Sequence, residues 1–216
     1  MTLCSPDSFV QMTIMIAYFR LYGEVVNSYE SVLTKKYFHG RTEAMRSTTQ
    51  MAERLMRCWT SHDSSEEEKL SALRDACKVH SKFVKEASGG YGVDRHLYAL
   101  KCLGEQNGIK PELFSSDAWS ALNHTVLSTS NCGNPSLRLF GFGPVVPDGF
   151  GIGYIVKDSA LQYSISSKHR QTKRYALSLH ETLLEMEELL EPLDSQQMGI
   201  MSGERRRRSL FRMSKH

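Results

Sequence analysis

The chain has 216 residues, room for one large domain or two small ones, and its 40% hydrophobic content can form a core, which excludes global disorder. Its net charge of +3 comes largely from the run Arg205-Arg206-Arg207-Arg208, so the body is near neutral and nothing in it favours nucleic acid. Five scattered cysteines, never paired as Cys-x-x-Cys, disfavour a disulfide framework or a zinc site and suit a reducing compartment; no other metal-ligand set, phosphate loop or nucleophile elbow is present.

Asp7 is placed to cap a helix after Ser5-Pro6. Phe9, Val10, Met12, Ile14, Met15, Ile16, Tyr18 and Phe19 then cover nearly every face of it, the pattern of a helix buried inside a large structure. With so little chain before it, the sequence implies that covering structure is missing upstream. The apolar stretch from Phe9 to Phe19 is about half the length of a membrane span and lacks the basic leader of a signal peptide, so an intracellular protein without a transmembrane segment is expected. Gly23 breaks the helix, and Asn27 to Phe38, rich in Tyr, Val, Thr and Phe, favours a strand. After a turn at Gly40, Thr42 to Cys58 reads as a helix. Ser64-Ser65 before Glu66-Glu67-Glu68 starts another, running to about Ala87, and a further helix spans Val93 to Gln106.

The second half changes character. Thr125–Ser130, Leu137–Phe142, Gly151–Lys157 and Leu161–Ser167 are short, β-rich and separated by turn signals. A last helix, Gln171 to Glu191, carries Tyr175, Leu179, Leu183 and Leu190 on one side. The expected class is α+β, with helices packed on a mixed β-sheet, one domain over residues 1–192 and a disordered basic tail over 193–216.

Several clusters carry chemistry alongside ordinary structural explanations. Tyr29 and Ser31 are two apart and share one side of a strand, and Thr42 follows a glycine turn; all three also suit plain strand and cap positions. Arg95 stands near a helix start, where it can pair with Asp94 or Glu86 or offer a planar fork of donors to a carboxylate. Ser128-Thr129-Ser130 ends a strand, commonly a structural arrangement, yet a hydroxyl there can stabilise a developing oxyanion. Phe140-Gly141-Phe142-Gly143-Pro144 and Pro147-Asp148-Gly149-Phe150-Gly151 suit a turn between strands, or an aromatic wall beside a quaternary ammonium.

These clusters, with Ser5-Pro6-Asp7-Ser8, Gly40-Arg41-Thr42-Glu43-Ala44-Met45-Arg46-Ser47 and Asp94-Arg95-His96-Leu97, occur in an order and spacing that resembles the choline/carnitine acyltransferase family over about residues 3–190. The resemblance implies a coenzyme A-dependent acyltransferase lobe of the chloramphenicol acetyltransferase-like kind, with carnitine and acyl-CoA as substrates and no bound cofactor. It places the carnitine carboxylate on Tyr29, Ser31, Thr42 and Arg95, the catalytic hydroxyl donor on Ser130 beside Ser128, and the trimethylammonium beside Phe142. Asp7, Glu30 and Asn131 fall toward coenzyme A. The family's choline enzymes have no arginine where Arg95 stands, so Arg95 with Thr42 implies carnitine. Long-chain relatives have glycine near Phe140, so a phenylalanine there implies a blocked acyl channel and a short, acetyl-like preference.

One departure follows from the same resemblance. The family's general-base histidine lies in its N-terminal lobe, and none of His39, His62, His80, His96, His124, His169 or His180 matches it; the spacing His39-Gly40-Arg41-Thr42-Glu43 only mimics its signature. Without a base, neither the carnitine hydroxyl nor the thiol loses its proton. The chain therefore reads as a carnitine-binding lobe, inactive alone, that needs the N-terminal lobe as partner; the alternative is a non-catalytic truncated product acting only as a binding lobe. Mitochondrial, peroxisomal and cytoplasmic settings all remain compatible, the ending Ser214-Lys215-His216 being only a weak variant of a peroxisomal address.

Overall fold

The computed structural model describes residues 4–134, 136–158 and 160–200. Its first element, α1 (Pro6–Tyr22), is capped by Ser5, whose hydroxyl accepts the Ser8 backbone N–H. Asp7, the expected cap, lies instead in the first turn, because Pro6 at the first helical position leaves Ser5 with the extended backbone that a cap requires. Gly23 closes the helix in a left-handed conformation, φ 69°.

Helix α1 is the centre of the core. Val10, Ile14, Ile16 and Ala17 are fully buried. Their cover comes from this chain: α2 (Gln50–Thr60), α3 (Glu66–Ser88) and α6 (Thr172–Ile200) pack on α1, and the inner face of the sheet closes the remaining side. The expectation that the cover of this helix lies upstream is thereby corrected. Hydrophobic periodicity shows that a helix is buried on all sides, but not which segments bury it.

The sheet runs β2-β1-β3-β4-β5, built from β1 (Ser28–Leu33), β2 (Thr42–Met45), β3 (Leu127–Asn131), β4 (Phe150–Lys157) and β5 (Ala160–Ser166). β1 and β2 form an antiparallel pair, β1–β3 and β3–β4 are parallel, and β4–β5 is antiparallel. A mixed sheet with helices packed on it agrees with the α+β expectation. β2 brings the chain back antiparallel to β1, to the end of the sheet where β3 begins. The helical crossover from β2 to β3 contains α2, α3, α4 (Asp94–Gln106), a 3-10 turn (Glu112–Ser115) and α5 (Asp117–Asn123).

Four boundaries differ from those read in the sequence. Thr42–Met45 is a strand, not the start of a helix: Glu, Ala and Met favour helix, but pairing with β1 overrides that preference. The helix begins only after Thr49, whose hydroxyl accepts the Ala52 N–H. Residues 137–142 form no strand, because their backbone crosses the sheet face rather than joining an edge. β1 is shorter than expected, since chain beyond Leu33 turns back through Tyr37 and Gly40. Finally, α6 continues past Pro192 to Ile200, as a proline removes one helical hydrogen bond without always ending the helix; the Arg205–Arg208 run lies outside the described residues.

One polar clasp ties the helical layer together. The Arg20 guanidinium of α1 grips both carboxylate oxygens of Glu185 on α6, Nη1 to Oε1 at 2.9 Å, and Trp59 Nε1 of α2 adds a bond of 3.3 Å. Burial pulls the Glu185 carboxyl upward, but the Arg20 hydrogen bond and charge prevail and hold it below the ordinary glutamate value of 4.5. A depressed folded-state value contributes stability that is present above that ordinary value and is lost as pH falls through the folded one. Since the pair is partly exposed, its contribution is small. Glu185→Gln is expected to lower unfolding free energy at pH 7 by about 0.5–1 kcal/mol and to make little difference near pH 3, measured by urea denaturation at both pH values.

Candidate active site

Alternation along the strands sorts the site residues onto two faces. Ser28, Glu30, Leu127, Thr129, Phe150, Ile152 and Tyr154 point inward to α1, and Tyr29, Ser31, Ser128, Ser130, Gly151 and Gly153 point outward. In register, Tyr29 lies opposite Ser128, and Ser128 opposite Gly151. Two residues further along β1 and β3, the Ser31 and Ser130 hydroxyl oxygens are 3.4 Å apart. On the other side of β1, Thr42 lies opposite Leu33 and shares this outer face.

Arg95 reaches that face from the first turn of α4. Its Nη2 lies 3.4 Å from the Tyr29 hydroxyl and 3.5 Å from Thr42 Oγ1, and its Nε lies 3.4 Å from the Thr42 carbonyl oxygen. These contacts are at the outer limit of hydrogen bonding, so the guanidinium is aimed but not consumed. The ion pairs open to Arg95 in the sequence are formed by other cations: Arg46 takes Asp94 at 2.8 Å, and Lys82 takes Glu86 at 3.8 Å. Tyr29, Arg95, Arg46, Asp94, Thr125 and Val145, with aromatic walls from Tyr98 and Trp119, line a cleft of about 230 Å³. That volume suits a small polar molecule rather than a drug-sized one.

The other outer-face residues lie beside this cleft rather than on its wall. Residues 140–143 cross β4 closely: a Cβ on Gly153 would fall 2.3 Å from the Phe140 carbonyl oxygen, and one on Gly151 would fall 2.6 Å from that of Phe142. Glycine at both positions is what lets this backbone lie on the sheet. The Ser166 hydroxyl fastens it by donating to the Phe142 carbonyl at 2.5 Å, and the Phe140 and Phe142 rings stand 5.9 Å apart.

Asp7 and Asn131 meet at the C-terminal end of β3, where Asn131 Nδ2 donates to Asp7 Oδ1 at 3.1 Å. Tyr154 donates to the same oxygen at 2.7 Å. Burial, followed by the Asp7 and Glu30 charges, pushes the Tyr154 phenol well above its ordinary range, so it stays a donor. Glu30 lies deeper, on the inner face, with His80 Nε2 at 2.7 Å and the Ser47 hydroxyl at 3.0 Å. Burial raises its carboxyl above the usual range, against the opposing pull of His80. Among the described residues, Asp7, Glu30 and His80 bring possible metal-ligating atoms within 4.8 Å of one another. They come from three separate elements, which is why no spacing in the sequence revealed them. All three already have hydrogen-bond partners, with His80 Nδ1 2.8 Å from the Ser8 hydroxyl.

Sequence reasoning missed Arg46 as a site residue. The signal was present: on a strand, Thr42, Ala44 and Arg46 share one side, but reading the segment as helix scattered them.

The family described as Choline/Carnitine o-acyltransferase matches residues 2–181. The chain belongs to this family. It is 46% identical over 190 residues to a putative mitochondrial carnitine O-acetyltransferase of Saccharomyces cerevisiae, a match covering 86% of this chain and 28% of that protein. To human carnitine O-palmitoyltransferase 2, mitochondrial, it is 39% identical over 186 residues, 84% of this chain and 28% of the relative. To carnitine O-acetyltransferase of Columba livia it is 35% identical over 192 residues, 87% of this chain and 31% of the relative. The chain thus spans less than a third of the length of these relatives.

Proposed function

We propose that this chain forms the carnitine-binding lobe of a carnitine O-acyltransferase, with the chloramphenicol acetyltransferase-like topology, transferring a short acyl group between coenzyme A and carnitine. The observation that carries this is the meeting of three elements at Arg95: it shares one small cleft with Tyr29, and Thr42 touches its guanidinium beside that cleft. A cation flanked by two hydroxyls recognises a carboxylate, and a choline-type substrate would leave that charge uncompensated.

In this reading the carnitine carboxylate sits between Arg95, Tyr29, Thr42 and Ser31, with its trimethylammonium toward Phe142. The carnitine hydroxyl attacks the thioester carbonyl as its proton is removed, and Ser130, next to Ser128, donates to the oxyanion that develops; collapse of that oxyanion breaks the C–S bond and releases coenzyme A, whose sulfur takes up the proton. Asp7 and Asn131, with Glu30 buried behind them, lie toward the coenzyme A side. No histidine lines the cleft among the described residues: His80 is buried behind the sheet, and His124 lies against Asp148 at 3.0 Å. We therefore assign the proton transfer to a histidine of the family's other lobe, so this chain acts only in its company. No helix among the described residues is long and apolar enough to cross a membrane, and the mitochondrial names of the yeast and human relatives support an intracellular setting.

The relatives include both acetyl- and palmitoyltransferases, so acyl length rests on Phe140. Its ring packs against β4 at Gly153, where it would obstruct a longer chain.

Both assignments are tested in a chimaera in which this chain replaces the matching stretch of the yeast relative. Arg95→Ala is expected to raise the carnitine KM about 10- to 100-fold, the loss of a charge-assisted hydrogen bond, while that for acetyl-CoA stays nearly constant; equal losses for both substrates would refute the assignment. Phe140→Gly should improve kcat/KM for octanoyl-CoA relative to acetyl-CoA by about tenfold or more; an unchanged ratio would show that Phe140 is not the gate.

A further inference from the structure

Arg95 is held by its backbone as well as by its side chain. α4 begins at Val93 without any side-chain cap, leaving the first-turn N–H groups without a local acceptor. The acceptor is brought by β2: Glu43 Oε1 takes the Arg95 backbone N–H at 3.1 Å and its own strand's Ala44 N–H at 2.9 Å. The residue just past the same strand, Arg46, supplies the complementary half. Its Nε and Nη2 both donate to Asp94 Oδ1, at 3.1 and 2.8 Å, and its Nη1 donates to Thr125 Oγ1 at 2.9 Å. Its guanidinium carbon also stands 5.9 Å from the centroid of the Tyr29 ring, within cation–π range.

Arg46 therefore touches three parts of the site at once: the residue before Arg95, the approach to β3 and the ring of Tyr29. The Arg46 and Asp94 side chains are only 19% and 18% exposed, so water screens this pair far less than the surface pairs on α2 and α3. Arg95 itself is exposed and makes only long side-chain contacts, so its direction depends on where α4 starts. From this geometry we infer that Arg46 and Asp94 are positioning residues for carnitine: they dock the first turn of α4 so that Arg95 faces Tyr29 and Thr42. The inference rests on the carnitine assignment above. Arg46 also borders the cleft, where its charge is already neutralised by Asp94, leaving Arg95 as the cation that faces the substrate.

The test is a double-mutant cycle in the same chimaera, reading both Michaelis constants and the melting temperature. Asp94→Asn keeps the shape of the side chain but frees Arg46, and it is expected to raise the carnitine KM about tenfold while the acetyl-CoA KM stays within about twofold. In an Arg95→Ala background the same change should add less than about twofold, because its effect passes through Arg95. Asp94→Glu should recover part of the loss. Arg46→Lys, which keeps the charge but not the two-nitrogen grip, is expected to behave like Asp94→Asn and stands in for it if that variant does not fold. A multiplicative effect in the Arg95→Ala background, or equal rises for both substrates, would overturn the inference and mark the pair as merely structural. If Arg95→Ala itself leaves the carnitine KM unchanged, the carnitine assignment fails, a result distinct from failure of the positioning role.

Discussion

The parallel pairing of β1 with β3 sets Tyr29 opposite Ser128 and Glu30 opposite Thr129. A slip of one residue would turn Tyr29 and Ser31 into the core and bring Glu30 out to the cleft. Register is held from behind the sheet. Thr129 Oγ1 donates to the Tyr29 carbonyl at 2.8 Å and accepts from Gln11 Nε2 at 2.9 Å, and Gln11 also reaches the Tyr154 hydroxyl at 3.0 Å. A buried glutamine of the central helix thus ties β1, β3 and β4 together.

The strand directions determine how Arg95 arrives. β2 runs antiparallel to β1 and β3 parallel to it, so β2 ends and β3 begins at the same end of the sheet, and the chain between them makes a long helical excursion before returning there. Glu43 and Arg46 on and beside β2 catch α4 during that excursion, and Thr125 receives Arg46 just before β3 begins. The cleft therefore forms where the crossover leaves the sheet and where it comes back. On its far flank, Gly151 and Gly153 admit the aromatic 140–143 segment, which would otherwise be forced away from the hydroxyl row.

Where local signals agreed with the fold, the sequence could be read directly. The Ser65–Glu68 capping box starts α3 as its acidic first turn suggested, and the all-round apolar pattern of α1 matches a fully buried helix. Reading failed where pairing or crossing outweighed local preference. Glu43, Ala44 and Met45 are helix formers yet lie in the sheet, and 137–142 alternates like a strand yet lies across one. The candidate site shows the same division. Tyr29 and Ser31 share a side by simple alternation, and Arg95 is a candidate anion clamp by its own chemistry, but no periodicity links it to them across a long crossover; only the family resemblance joined them. Arg46 was hidden by the helical misreading of its own segment. The Asp7, Glu30 and His80 cluster is wholly tertiary and could not be found by spacing.

Everything about substrate choice comes back to where a negative charge is bound. The most direct measurement is a crystal structure of the protein with carnitine. A carboxylate within about 3 Å of the Arg95 guanidinium and in reach of the Tyr29 and Thr42 hydroxyls is the predicted result. A carboxylate bound elsewhere, with Arg95 turned away from Tyr29, would contradict the account.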